Sequence, residues 1–250
     1  MRIATWNLNT WINRKEGISN DQLWQWAEDN LGADIVIFTE AATPPPASIA
    51  QHGWTAVHRR GGVPNRSGWG TVIAARNMRI EHVTHVGNDK KYELDTFFPG
   101  SFTAADVYVE NDYFATVIGL YLPYRKNADK IFIGDPEMDL LAMNMDFVQL
   151  HLDRGANLIV AGDLNIDYYE IPESLAELAS GKYELVDPFD GIEMDTYKQS
   201  WTENGFFQVD YLYMSKQLAK KITSKKGGQT DFPTAFDISD HAPLLVELKQ

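Results

Sequence analysis

Three short, unbroken apolar runs constrain this chain most: Asp34-Ile35-Val36-Ile37-Phe38, Thr71-Val72-Ile73-Ala74-Ala75 and Asn157-Leu158-Ile159-Val160-Ala161. Runs of this length, rich in β-branched residues and apolar at consecutive positions, read as strands buried on both faces. Met1 to Asn7 reads as a strand from the start. More mixed runs at 80–86, 102–109, 113–122, 206–214 and 241–248 read as further, less buried strands. Helical patterns fall between some of them. Ser19-Asn20-Asp21-Gln22 forms a capping-box sequence, after which Leu23, Trp26, Ala27 and Leu31 repeat at helical spacing and Gly32 stops the helix. A second helix is expected from Pro136, behind Asp135, to Gly155, and a shorter third from Pro172 to Ala179. The alternation predicts an α/β chain with a mixed sheet or two sheets. No repeat, low-complexity tract or linker divides it, and Thr43-Pro44-Pro45-Pro46 is too short to be a boundary, so one domain over 1–250 is expected.

Composition narrows the chemistry. With 250 residues the chain is long enough to bury a full core, and with no cysteine it has no disulfide, thiolate metal site or cysteine nucleophile. No run approaches the roughly 18–20 apolar residues of a membrane helix, and the N-terminus lacks a secretory apolar region. A cytoplasmic protein with no membrane segment is the expectation. Lys and Arg number 22 against 35 Asp and Glu, a formal net charge of −13. Positive charge comes in small groups (Arg59-Arg60, Lys90-Lys91, Arg125-Lys126, Lys220-Lys221, Lys225-Lys226) that read mostly as solvated surface. That balance argues against a long DNA footprint but permits short-footprint phosphodiester chemistry, with part of the acidity serving a divalent metal.

The informative polar residues are those that end buried strands. Asn7 ends the first, Glu40 closely follows Phe38, and Asp163 and Asn165 follow Val160 in Ala161-Gly162-Asp163-Leu164-Asn165. In α/β sheets ligands sit beyond the carboxyl ends of strands. Three strands thus deliver carboxylates or amides to one edge, a donor set suited to a hard divalent cation. Each has a plain alternative as a turn or cap residue, because Gly, Asp and Asn all favour loops. Ser239-Asp240-His241-Ala242-Pro243 is sharper. A lone histidine is more often structural than catalytic, which is how His52, His58, His82, His85 and His151 read. His241 differs because it abuts Asp240. Asp210 lies within the apolar run Phe207-Gln208-Val209-Asp210-Tyr211-Leu212-Tyr213, where an unpaired acid costs several kcal/mol. His241 is its most economical partner, and the pairing would fix the imidazole tautomer.

Taken together these segments resemble, in order and over essentially the whole chain, the endonuclease/exonuclease/phosphatase superfamily, which includes deoxyribonuclease I, exonuclease III-like enzymes, sphingomyelinases and inositol polyphosphate 5-phosphatases. Thr5-Trp6-Asn7 looks like its first motif, Phe38-Thr39-Glu40 like its metal-binding glutamate and Gly162-Asp163-Leu164-Asn165 like its central motif. Asp210-Tyr211 resembles the histidine-supporting aspartate, and Ser239-Asp240-His241-Ala242-Pro243-Leu244 the terminal motif. The resemblance implies a four-layer α/β sandwich, two mixed β-sheets face to face with outer helices, with the site at one edge and Mg2+ or Mn2+ as cofactor. It also implies roles. Glu40, Asn7 and Asp240 would serve the metal, Asp163 would act as base and Asn165 would hold water or phosphate beside it. His241 with Asp210 would bind a non-bridging oxygen, and Tyr121 would contact the phosphate. Asn7, Trp201 and Phe207 would contact substrate, the aromatics by stacking on a nucleotide, although core packing explains Trp201, Phe206 and Phe207 equally simply.

The leading expectation is a metal-dependent nuclease acting on DNA or RNA. The alternative in the same chemistry is a phosphatase or phosphodiesterase for small-molecule or lipid-headgroup phosphates, which the acidity favours. A binding module without catalysis is the reading from another class. No protein partner is inferable.

Overall fold

The computed structural model describes residues 1–60, 68–83, 100–122, 148, 155–165, 185–198 and 205–249. In chain order the strands are β1 (Arg2–Asn7), β2 (Ile35–Ala42), β3 (Trp54–Arg60), β4 (Trp69–Arg76), β5 (Arg79–Val83), β6 (Phe102–Val109), β7 (Asp112–Tyr121) and β8 (Leu158–Asp163). They continue as β9 (Leu185–Val186), β10 (Tyr197–Lys198), β11 (Phe206–Phe207), β12 (Asp210–Ser215), β13 (Ile222–Gly227) and β14 (Leu244–Leu248). Two helices precede β2: α1 (Thr10–Lys15) and α2 (Asn20–Leu31).

Two six-stranded sheets carry the fold, ordered β13-β14-β1-β2-β4-β3 and β5-β6-β7-β8-β12-β9. Read from β13 in one sheet and from β9 in the other, the pairings follow the same pattern. Two antiparallel neighbours come first, then one parallel pair, then two more antiparallel neighbours. The parallel pairs are β1 with β2 and β7 with β8. The sheets pack with β14 against β12, β1 against β8, β2 against β7, β4 against β6 and β3 against β5. Consequently the carboxyl ends of β1, β2, β7 and β8 meet at one end of the sandwich.

Side-chain alternation builds the core. Ile35 and Ile37 of β2 point between the sheets, where Ile3, Ile73, Val117, Ile159, Leu212, Met214, Leu244 and Val246 join them. Val36 and Phe38 point outward and pack with Trp6, Leu23, Trp24, Ala27 and Leu31, so that α2 covers that face. The capping box forms as expected: Ser19 Oγ accepts from Gln22 N at 3.2 Å, and Gln22 Oε1 accepts from Ser19 N at 2.7 Å. Two mixed sheets with an outer helix bear out the expected architecture.

Some boundaries differ. The run 206–214 is two strands, because Thr196 Oγ1 accepts from both Val209 N and Asp210 N at 3.1 Å and the chain changes partner there. β11 pairs with β10, whereas β12 pairs with β8 and β9. The terminal strand begins at Leu244 rather than His241, which makes only an isolated bridge to Tyr197. The helices expected from Pro136 and Pro172 lie outside the described residues, apart from Val148, which is helical and buried.

Candidate active site

Beyond the carboxyl ends of the two parallel pairs stand Asn7 from β1, Glu40 from β2, Tyr121 from β7 and Asp163 from β8. The facing antiparallel strands add Asp210 at the start of β12 and His241 just before β14. Two contacts between the sheets follow from this symmetry. Asn7 Nδ2 donates to Asp163 Oδ2 at 2.7 Å, and His241 Nδ1 lies 2.8 Å from Asp210 Oδ2. Residues 156 and 31 positions apart in the chain are thereby joined.

Local backbone prepares these positions. Glu40 sits at an irregularity where the β2–β4 register shifts between Phe38 and Ala41, and its φ of 43° is in the left-handed region. Asn9 and Asn165 share that conformation, with φ of 42° and 49°. Such residues cost about a kilocalorie per mole or more and cluster at functional sites. Gly162 holds φ at +146°, and a side chain there would place Cβ 1.9 Å from Leu120 O. Only glycine lets β7 and β8 approach so closely beneath Asp163.

Asp163 is almost fully buried and held on both oxygens. Oδ1 accepts from Asn165 N at 2.8 Å; Oδ2 accepts from Asn7 Nδ2 and, at 3.2 Å, from Asn165 Nδ2. Asn165 Nδ2 also donates to Leu122 O at 2.6 Å. His241 Nε2 lies 4.0 Å from Asp163 Oδ2 and 3.9 Å from Asp240 Oδ1. Its backbone is fixed as well: His241 N donates to Ser239 Oγ at 3.2 Å, while Ser239 Oγ donates to Asn7 O at 2.8 Å. His241 O accepts from Trp6 Nε1 at 2.8 Å.

Three carboxylates around one imidazole set the electrostatics. Burial opposes a charged His241, but the Asp210 carboxylate, through its charge and hydrogen bond, outweighs it; Asp240 and Asp163 add, and the pKa is raised to about 10. Burial, with Asp210 adding to it, pushes the Asp163 carboxyl up to about 8 against the pull of His241 and of its hydrogen bonds from Asn165 and Asn7. Three carboxyl groups against one imidazole give the cluster an acidic surplus. Asp210 Oδ1 is buried and finds no hydrogen-bond partner among the described residues.

Among the described residues no group of three or more His, Asp or Glu side chains is gathered to hold a metal by itself. Mg2+ does not require one, since it keeps several waters and uses one or two carboxylates. Glu40 is half-buried, and the Asp240 side chain is 35% exposed, so both remain within reach of a hydrated ion. Asn7 uses its amide inside the protein, toward Asp163 and, at Oδ1, as acceptor from Asn9 N at 2.9 Å. Among the described residues one Oδ1 lone pair remains. Surplus charge and two reachable carboxylates fit a divalent cation.

Tyr121 is buried, with its ring edge-on to Trp69 at 5.0 Å, and pairs in register with Asp163. Phe207 is half-buried and pairs with Tyr197, whose ring lies 4.9 Å from that of His241. Trp201 lies outside the described residues. Sequence reading missed Asn9, whose Nδ2 donates to Asp240 Oδ1 at 2.7 Å, and Tyr197. The left-handed turn that places Asn9 has only a weak sequence signal, since asparagine merely tolerates it. Tyr197 carried none.

No protein-family profile matches the chain, and no curated protein is significantly similar in sequence. Solved structures are similar over the whole chain. An AP endonuclease from Archaeoglobus fulgidus superposes with a TM-score of 0.72 at 17% identity, covering 100% of both chains. The 3′ phosphatase NExo from Neisseria, bound to a product DNA hairpin, gives 0.69 at 17% identity, again covering 100% of both. An endonuclease/exonuclease/phosphatase family protein from Leptotrichia buccalis gives 0.65 at 15% identity, covering 100% of each. At these identities the likeness is one of fold.

Proposed function

We propose that the chain is a divalent-metal-dependent phosphodiester hydrolase of the endonuclease/exonuclease/phosphatase type, acting as a nuclease. The observation that carries this reading is the convergence, from both sheets, of a buried carboxylate held by two amides and a histidine–aspartate pair. Asp163 accepts a proton from the water that attacks phosphorus, and Asn7 and Asn165 hold the carboxylate in place for it. Asp210 accepts a hydrogen bond from His241 Nδ1–H, which leaves Nε2–H directed toward Asp163 and Asp240. From there it donates to a non-bridging phosphoryl oxygen as charge develops. Glu40 and Asp240, with Asn7, would hold Mg2+ or Mn2+, which when bound supplies charge neutralisation and polarisation of the phosphoryl group. Tyr121 assists at the phosphate or leaving oxygen, and Phe207 and Trp201 stack on the nucleotide.

Support for a nucleic-acid substrate comes from neighbours described as an AP endonuclease and as a DNA-bound 3′ phosphatase. The net charge of −13 favours the second reading, a hydrolase of small or lipid-headgroup phosphates. A substrate panel tests both. Supercoiled plasmid, abasic duplex, single-stranded DNA, RNA, a generic phosphodiester, inositol phosphates and sphingomyelin are incubated with Mg2+ or Mn2+, with chelator and Asp163→Asn controls. Metal-dependent cleavage of a polynucleotide that the Asp163→Asn variant lacks is the expected result. Phosphate release from inositides alone would move the assignment to the second reading, and no metal-dependent hydrolysis at all would overturn both.

A further inference from the structure

The Asp210–His241 pair is assembled from two sheets, and a third segment joins its halves. Asp210 opens β12 in one sheet, whereas His241 precedes β14 in the other, 31 positions further along the chain. Between them runs the stretch 196–198, which ends in the short strand β10 and belongs to neither six-stranded sheet. On one side Tyr197 and Lys198 pair with Phe207 and Phe206 of β11. On the other, Tyr197 bridges His241, Lys198 N donates to Asp240 O at 2.9 Å, and Ala242 N donates to Thr196 O at 2.7 Å.

Thr196 makes the decisive contacts in this stretch. It is fully buried. Its backbone N donates to Phe207 O at 3.0 Å, and its hydroxyl accepts from Val209 N and Asp210 N, each at 3.1 Å. Those two amides follow the point where pairing with β10 ends. A hydroxyl oxygen has two lone pairs and serves both, whereas an aliphatic side chain offers them no acceptor. One residue therefore touches both halves of the pair: through Oγ1 the backbone of Asp210, and through its carbonyl the amide that follows His241. Because both anchors sit within a single residue, stiff covalent geometry sets the separation of the two chains. That separation matters. His241 Nδ1 and Asp210 Oδ2 meet at 2.8 Å, and such a bond weakens once the atoms part beyond roughly 3.2 Å or lose alignment.

We infer that Thr196 is a positioning residue for the hydrolysis: its hydroxyl and carbonyl set Asp210 against His241, so that the imidazole stays aimed at the phosphoryl oxygen. The effect on turnover rests on the hydrolase reading, and the effect on the pair itself does not. A hydroxyl that merely satisfied two buried amides would change stability when lost, yet leave the aim of the imidazole as it was.

The test compares, in the full chain, Thr196→Val, which keeps the shape but removes the acceptor, with Thr196→Ser, which keeps the hydroxyl. Without metal or substrate, the proton on His241 Nδ1 is observed by NMR and assigned by its absence from His241→Ala. With Mg2+ or Mn2+, kcat and KM are measured on the phosphoester that the wild-type chain hydrolyses best. Leu31→Ala, in the buried face of α2, serves as the control for lost stability. Thr196→Val shifts or broadens the Nδ1–H signal and lowers kcat about ten- to a hundredfold with KM little changed, the scale of a misplaced reacting group. Thr196→Ser returns both toward wild type, and Leu31→Ala leaves both unchanged while it is folded. An unmoved signal, a loss carried by KM, a serine variant no better than valine, or an equal loss in Leu31→Ala overturns the inference. If Thr196→Val does not fold, Thr196→Cys takes its place, because sulfur accepts hydrogen bonds weakly; its kcat and signal must then fall short of those of Thr196→Ser. A wild-type chain that hydrolyses nothing removes the hydrolase reading, and the signal alone then decides whether Thr196 positions the pair. Hydrolysis with a signal and kcat indifferent to Thr196 removes only the positioning role.

Discussion

Replacing Asp210 with asparagine isolates the link between fold and chemistry. The substitution keeps size and shape at a fully buried position and removes the charge 2.8 Å from His241 Nδ1. In the intact protein the His241 pKa rises from 6.5 to about 10 despite burial, worth about 5 kcal/mol in favour of the imidazolium at 1.36 kcal/mol per pH unit. With Asp210 neutral, burial is opposed only by Asp240 and Asp163, and the His241 pKa falls. The imidazolium population drops with it and loss of orientation adds to that, for a total decrease in turnover of about 10²–10³-fold. The raised imidazole pKa also makes stability pH-dependent. The pair's contribution is fully present below pH 6.5 and is lost as pH rises through about 10. Asp210→Asn therefore destabilises most near pH 6, and the gap from wild type narrows toward pH 10. Imidazole NMR titration, a pH–rate profile and melting temperatures across pH measure these effects. A variant whose His241 still titrates near 10, or whose stability gap is constant with pH, refutes the reasoning.

Asp163→Asn lowers turnover by at least about a hundredfold, as expected on losing a positioned base. In chelator at pH 9 the same variant melts no lower than wild type, because a carboxyl raised from 3.8 to about 8 costs the folded state stability as pH climbs between those values, and the full cost is present at pH 9. The profile of kcat/KM rises as Asp163 loses its proton near 8 and falls as His241 loses its own near 10. Raising Mg2+ favours the carboxylate and moves the acidic limb to lower pH; a limb indifferent to metal argues against a shared site. Gly162→Ala, which would place Cβ 1.9 Å from Leu120 O, lowers stability by at least about 2 kcal/mol and reduces turnover by displacing Asp163. Thermal unfolding and steady-state kinetics read the two effects.

Much of this was legible because buried strands are apolar and what interrupts them is conspicuous. Ile35 to Phe38 and Leu158 to Ala161 announced β2 and β8, and Glu40 and Asp163 stood out at their ends. The pairing of Asp210 with His241 followed from the cost of an acid on an apolar strand, and the two groups do meet. Two edge strands were not legible: β3 and β13 carry charged residues near their ends and no clear apolar rhythm. The break at Gln208–Val209 depends on Thr196, whose hydroxyl serves two backbone donors from a distant segment. Asn9 was hidden for a related reason, since its role toward Asp240 depends on a left-handed turn that a side-chain pattern does not reveal. Face-to-face packing of the sheets came only from the resemblance, because no local pattern encodes which strands oppose one another.

The proposed chemistry places one hydrated cation among these side chains. Crystals grown with Mn2+ and measured at the manganese absorption edge test it most directly. A single strong anomalous peak is expected about 2.1 Å from a Glu40 carboxylate oxygen, on the side that faces Asp240 and Asp163. A peak bound elsewhere on the surface, with only solvent beside Glu40, would contradict the account.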